Sequence, residues 1–245
     1  MFNVLYISYN PQEGLIEKHL NIWKEIPLEF RKNINFILID DGSNVPINPN
    51  VDFPVNLTIA RINEDIFCNT SGAKNLGFTL ADDDWVFSCE IDHFVEPEEY
   101  IRMINYNKKL GEVYRLSRYL NNTLINLAQN IFIIHKEDFW KSGGYDEDLA
   151  GNHGYDDLFI IGNYKDASSP SIFANIGLKF IQTDIKICTI IKYATGSPEH
   201  RQRMEDTKTI NLNKVHAKQQ ELIKSTYKHG GVLRFTWGII KEIRI

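Results

Sequence analysis

The sequence predicts an α/β domain built from strand–helix–strand units, and three observations carry that expectation. Short apolar runs at Val4–Ile7, Phe36–Ile39 and Trp85–Phe87 read as buried strands. Between the first two, Leu15, Ile16, Leu20, Trp23 and Ile26 recur at helical spacing, a pattern that implies neighbouring parallel strands. Each run also ends in polar or acidic residues: Ser8-Tyr9-Asn10-Pro11, Asp40-Asp41-Gly42-Ser43 and Glu90-Ile91-Asp92-His93. Unpaired carboxylates are expensive to bury, and ligands of open α/β sheets bind beyond the carboxyl ends of the strands. Glu90-Ile91-Asp92 therefore points to a site for a metal ion and the phosphates of a nucleotide. The competing reading is a polar strand end facing water.

The first helix spans Gln12 to Ile26, and Pro27 ends it. A Pro- and Asn-rich connection from Asn44 to Pro54 precedes a third strand, Val55 to Ala60. Thr70 or Ser71 caps a helix running to about Leu80, which places free backbone N–H groups at its start. The acidic triplet Asp82 to Asp84 reads as a solvated turn. Pro97 to Leu110 begins with proline and acids, as a helical first turn should. Strands follow at Glu112 to Leu120 and Ile131 to Ile134, then a glycine-rich region from Gly143 to Gly154 and a second carboxylate pair, Asp156-Asp157. Tyr164 to Ala174 reads as a surface loop, and Leu178 to Ile181 and Ile185 to Ile191 carry the last β signal. A helix is expected from Ile210 to Tyr227, broken at Gly230-Gly231. The apolar tail beyond it carries Arg234, Lys241 and Arg244; it packs back on the domain, touches a membrane surface, or binds a partner.

The chain has 245 residues and a net charge of −5, so no general affinity for nucleic acid is expected. Three scattered cysteines without a CxxC pair argue against a disulfide framework or a zinc site and fit a reducing compartment. The N-terminal apolar run is short, lacks a basic flank and reads as a strand; a cytoplasmic location is the expectation.

Taken together, four motifs in order resemble the inverting GT-A glycosyltransferases. They are DDGS after the second strand, AKNLG on a helix, the D-x-D-like Glu90-Ile91-Asp92, and GGYDE followed by GYDD. In pattern the chain is most similar to the family 2 enzymes and the galactosyltransferase-like group beside them, over roughly Phe2 to His216. The resemblance implies a GT-A fold: a Rossmann-like nucleotide-binding half, a mixed central sheet and helices on both faces. It divides the chain into a transferase domain at 1–217, with a nucleotide-sugar half at about 1–95 and an acceptor half at about 96–217, and a C-terminal helix and tail at 218–245.

Residue by residue, the resemblance implies nucleoside contacts from Ser8, Tyr9, Asp40 and Asp41, leaving open which aspartate meets the base. Lys74 stands where the family's A-R-N-x-G helix has the arginine that contacts the diphosphate, with Asn75 beside it; charge survives but the bidentate fork does not. Asp92 is the expected metal contact and Glu90 a departure from aspartate, while His93 is either a further ligand or a neighbour. Asp157 matches the family's catalytic base, with Asp156 in place of glutamate. His200 is the candidate late histidine of the metal site, and His216 the reserve.

The chemistry needs such residues. A departing nucleoside diphosphate requires positive charge, and hard oxygen ligands suit Mn²⁺ or Mg²⁺. A positioned carboxylate takes the proton of the attacking hydroxyl, and attack opposite the leaving group inverts the anomeric carbon. The expected donor is a UDP-linked sugar; the acceptor is a glycan, a lipid-linked sugar or a protein. Three other readings compete. A glycoside hydrolase also uses two carboxylates but needs no nucleotide half. A nucleotidyltransferase would open on a glycine- and arginine-rich loop, which Ser8 to Gly14 does not resemble. A catalytically inactive glycan- or nucleotide-sugar-binding protein on the same fold would explain the departures at Lys74, Glu90 and Asp156.

Overall fold

The computed structural model describes residues 1–47, 55–121, 123–163, 169–189 and 198–245. The chain opens with β1 (Phe2–Ser8), α1 (Leu15–Glu25), α2 (Leu28–Arg31), β2 (Ile34–Asp40) and β3 (Asn56–Ile62). Next come α3 (Thr70–Leu80), β4 (Trp85–Glu90), β5 (His93–Phe94), α4 (Pro97–Asn105), β6 (Glu112–Leu120) and β7 (Thr123–His135). The remainder is α5 (Lys136–Lys141), a 3₁₀ turn at Glu147–Leu149, α6 (Asp156–Ile161), α7 (Ile172–Asn175), β8 (Lys179–Thr189), α8 (Pro198–Ile223) and β9 (Trp237–Ile243).

The nine strands of the described residues form one mixed sheet in the order β5-β8-β6-β7-β4-β1-β2-β3-β9. The block β4-β1-β2-β3 is parallel, as the strand–helix–strand spacing requires. β7 then joins β4 in the opposite direction. Both faces are buried, and the strands show it residue by residue. Val4, Tyr6, Phe36 and Leu38 point into one apolar layer with Leu20 and Trp23 of α1 and Tyr100 and Met103 of α4. Leu5, Ile7, Ile37 and Ile39 point into the other, beneath Ala73, Leu76 and Phe78 of α3 and Phe159 to Ile161 of α6. Continuous apolar runs rather than alternation follow from two covered faces. A Cβ on Gly77 would sit 2.1 Å from Leu5 Cδ1, so glycine there lets α3 lie directly on the sheet.

Several element limits differ from expectation. The helix after Pro97 stops at Asn105. The expected loop around Ile172 contains α7, because Ile172 and Phe173 are buried against the core; residues 164–168 lie outside the described residues. The two late β signals are one strand, β8, and the part of that expectation at 190–191 also lies outside the described residues. The last helix starts at Pro198 and ends at Ile223, so it crosses the expected boundary at 217. Helical periodicity was hard to read there because only Asn211, Val215, Gln219 and Leu222 of its 26 residues are buried. The tail packs back: β9 pairs antiparallel with β3 at the sheet edge, and Trp237, Ile239 and Ile240 stay partly exposed. Charged residues such as Lys241 and Glu242 suit an edge strand, where they discourage pairing with another chain.

This topology positions the site. In register, Ser8 lies beside Asp40 and Ile7 beside Glu90, so the ends of β1, β2 and β4 form one continuous rim.

Candidate active site

At the end of β2 the two aspartates separate by direction. Asp40 is fully buried: its carboxylate accepts from the backbone N–H groups of Ser43 and Ile47 and pairs with Arg61 at 2.6 Å. It pins the DDGS turn, where Gly42 adopts φ +71° and a Cβ would strike the carbonyl oxygen of Glu64. Asp41 turns into a cleft of about 140 Å³ lined by Ser8, Tyr9, Thr70, Glu90, Ile91 and Asp92. Burial pushes the Asp41 carboxyl up to about 7, against the opposing hydrogen bond from Asn69. Asn69, not Thr70 or Ser71, is the residue before α3, and its side chain serves Asp41 instead of capping the helix. The Ser8 hydroxyl is buried with no hydrogen-bond partner among the described residues. Tyr9 donates to Asp65 at 3.1 Å and stacks on His200, ring centres 5.7 Å apart.

Beyond β4, Glu90, Asp92 and His93 offer ligand atoms that all lie within 4.8 Å of one another. Two carboxylates and an imidazole are a donor set suited to Mn²⁺ or Mg²⁺. Burial raises Glu90, with Lys74 opposing and Asp92 adding to the rise. For Asp92, burial pushes up, but the hydrogen bond and charge of His93 outweigh it and hold the carboxylate below its ordinary range. His93 Nδ1 sits 2.7 Å from Asp92 Oδ1, and Nε2 is buried without a hydrogen-bond partner among the described residues. With Nδ1–H donated to the carboxylate, Nε2 keeps an unshared lone pair, so the residues present fit a divalent cation. Ile91 forms the floor; its N–H donates to Ile7 and its carbonyl bonds His19 Nε2 at 2.6 Å.

His200 does not join that group. It sits in the first turn of α8, between Tyr9 and Phe67, where ring stacking fixes it. His216 is exposed and about 24 Å further along the same helix at 1.5 Å per residue.

The second cleft, about 370 Å³, is lined by Asn130, Tyr155, Asp156 and Asp157 among others, and it shares Thr70 and Glu90 with the first. Asp157 Oδ1 accepts from Lys74 Nζ at 2.7 Å and from the Tyr145 hydroxyl at 2.6 Å. Lys74 is wholly buried and also meets Tyr145 at 3.2 Å and the carbonyl of residue 130 at 3.3 Å. Burial alone would lower its pKa, but the charges of Asp157, Glu90 and Asp156 prevail and hold it above its ordinary value. The ammonium is therefore engaged with the carboxylate pair rather than projecting into the cleft of Asp41 and Asp92. Asn75 is buried too: its side chain donates to the Tyr145 carbonyl and Glu147, and accepts from the Tyr145 N–H. It binds α3 to the GGYDE segment and lines neither cleft.

Asp156 accepts from the Ser71 hydroxyl at 3.2 Å; burial first, then the charge of Asp157, raise it to about 7. Both aspartates follow Tyr155, whose φ of +68° is strained for a tyrosine and aims them at the cleft. Sequence reading missed two groups: Tyr145 as a partner of Asp157, and Thr70 as a wall common to both clefts. The GGYDE pattern marked the first without its direction; Thr70 was marked only as a helix start, which does not reveal that it borders both clefts.

No protein-family model matches the sequence, and a search of curated proteins finds no match. Solved structures do resemble it. S. aureus TarS 1–349 in complex with UDP-GlcNAc superposes with a TM-score of 0.58 at 10% identity, over 92% of this chain and 71% of that one. The mannosyltransferase PcManGT from Pyrobaculum calidifontis, in complex with GDP-Man and Mn²⁺, gives 0.58 at 13% identity, over 92% and 69%. At such identities the likeness is one of fold.

Proposed function

We propose that this chain, which has the fold of the GT-A glycosyltransferases, transfers a sugar from a nucleotide sugar to an acceptor hydroxyl with inversion. One observation carries the reading: the two clefts share Glu90 and Thr70, so a polar cleft at the ends of β1, β2 and β4 adjoins the cleft of the carboxylate pair. The neighbours' complexes with UDP-GlcNAc and with GDP-Man and Mn²⁺ support a nucleotide-sugar donor. UDP is the proposed nucleotide. Ser8 and Asp41 supply unpaired or proton-poised groups at the nucleoside end, with the Tyr9 ring beside them.

A divalent cation held by Asp92 and Glu90, with His93 as nitrogen donor, would supply the charge that stabilises a departing diphosphate. Asp157 is the proposed base. Lys74 and Tyr145 fix it through Oδ1, and Oδ2 makes no hydrogen bond among the described residues, so it is available to take the acceptor's proton. Asp156, turned toward Ser71, acts on the start of α6 and shapes the acceptor cleft.

The test is a thermal-shift and turnover screen of nucleotide sugars with and without Mn²⁺. A UDP sugar should raise the melting temperature only with the metal present. Asp92→Asn should abolish that increment; an unchanged increment would refute the metal site. Asp157→Asn, compared with its own ligand-free melting point, should keep the increment and lose ~10²–10⁴-fold in transfer. Normal turnover in that variant would end the assignment of the base, and a retained anomeric configuration by NMR would overturn inversion. Specific binding with no transfer in any acceptor screen would favour a nucleotide-sugar-binding protein instead.

A further inference from the structure

Arg115 is a buried charge that the proposed reaction does not use. It lies on β6, opposite Phe132 of β7 and Gln182 of β8, and its residue is 7% exposed. Its guanidinium stacks over the Phe180 ring, 4.3 Å from the centre. Nη2 donates to the Ile161 carbonyl at 3.3 Å, and Nε is buried with no hydrogen-bond partner among the described residues. No carboxylate among the described residues forms an ion pair with it, unlike the buried Lys74 and the partly buried Arg61. Burial is the cause that lowers its pKa from the usual arginine value.

Beside it is a cavity of about 350 Å³, within the range of small-ligand sites. Asn163, Ser169, Ser171 and Gly177 complete its wall. Ser171 Oγ accepts from the Ala174 N–H, which leaves its own O–H to donate. An unpaired charge is costly to bury. Arginine's planar fork matches the paired oxygens of a carboxylate or phosphate, and the stack on Phe180 fixes the plane of that fork.

We propose that Arg115 and this cavity form a binding site for a small oxyanion, either a phosphate monoester or a carboxylate, separate from the clefts at Asp92 and Asp157. The site is linked to the carboxylate pair through α6. Ile161, whose carbonyl Arg115 holds, lies four residues after Asp157, about 6 Å along the helix.

The experiment uses the full chain in EDTA, so that no divalent cation recruits phosphate to Asp92. Inorganic phosphate and acetate are titrated separately against chloride of matched ionic strength, with melting temperature and the ¹⁵Nε–¹Hε signals of labelled arginine as readouts. At tenfold saturation the wild type should gain ~3 °C, and the Arg115 signal should move. A response to phosphate alone assigns a phosphorylated ligand, and one to acetate alone a carboxylate. Asp92→Asn should keep the response, which separates this site from the proposed transferase site. Arg115→Gln should weaken affinity at least tenfold, and Arg115→Lys, which keeps charge without the fork, should weaken it less. A wild-type response no larger than that of chloride, or a full response in Arg115→Gln, overturns the site. Should Arg115→Gln fail to fold, the wild-type Nε–Hε signal decides: no movement on titration with either anion overturns the proposal.

Discussion

Lys74 and Asp157 make the pair on which the candidate site rests, and their burial is unequal: the lysine side chain is fully covered and the aspartate 18% exposed. Breaking such a pair strands one charge. Lys74→Met is expected to lower the unfolding free energy by ~3–5 kcal/mol in a urea titration; a loss under ~1 kcal/mol would mark the pair as solvent-screened. Asp41 has a pH signature of its own. Its folded pKa of about 7 stands above the ordinary 3.8, so the folded chain keeps a proton that the unfolded chain releases. Its contribution is full below pH 4, declines as pH rises from about 4 to about 7, and is constant above. Asp41→Asn should remove a slope of up to ~1.4 kcal/mol per pH unit in that window, checked as the difference between wild-type and variant unfolding curves. Asp156, also raised to about 7, keeps the same sign of slope in the variant. At this scale the sequence marked the candidate residues but not which way they face. Asp40 and Asp41 are adjacent and identical, yet one pins a turn and the other lines a cleft. Lys74 was read from its charge; that it faces Asp157 depends on how α3 lies against α6, which no local pattern encodes.

Among the elements, α8 does more for the site than its polar sequence announced. Asn211 is fully buried, and its amide donates to the carbonyls of Leu149, Asn152 and Gly154. One side chain thus holds the glycine-rich segment that leads into Asp156-Asp157. Asn211→Ala should cost ~1–3 kcal/mol through stranded carbonyls, and hydrogen exchange across 149–155 should quicken while that of β1 and β2 does not. Exchange unchanged in that segment would show it to be held from elsewhere. The strands of the parallel block were legible because both sheet faces are covered and the runs are uniformly apolar. β9 was not, because an edge strand with exposed Ile239 and Ile240 looks like a solvent-facing tail until β3 is beside it.

For the whole molecule, the expected boundary between nucleotide and acceptor halves, at about residue 95, falls within one continuous sheet. β4 and β7, on either side of it, are directly hydrogen-bonded, and the two apolar layers extend across both halves. A single calorimetric transition is therefore expected, with van't Hoff and calorimetric enthalpies equal; two resolved transitions would mean the halves unfold apart. The order of the fold was readable from strand–helix–strand spacing. Its closure was not, since it depends on contacts between residues far apart in sequence. Glu147 shows this well: one carboxylate oxygen takes the Asn75 amide and the Leu233 N–H, and the other takes the Arg234 N–H. That junction has a consequence for biosynthesis. A chain emerging from the ribosome displays Ser8, Asp41, Lys74, Asp92 and Asp157 well before residues 233 and 234 exist outside the tunnel. A domain folds as a unit, and until those residues are free Glu147 is half-satisfied and the edge of β3 uncovered. Closure of the Asn75–Glu147 junction thus depends on residues nearly ninety positions further along the chain.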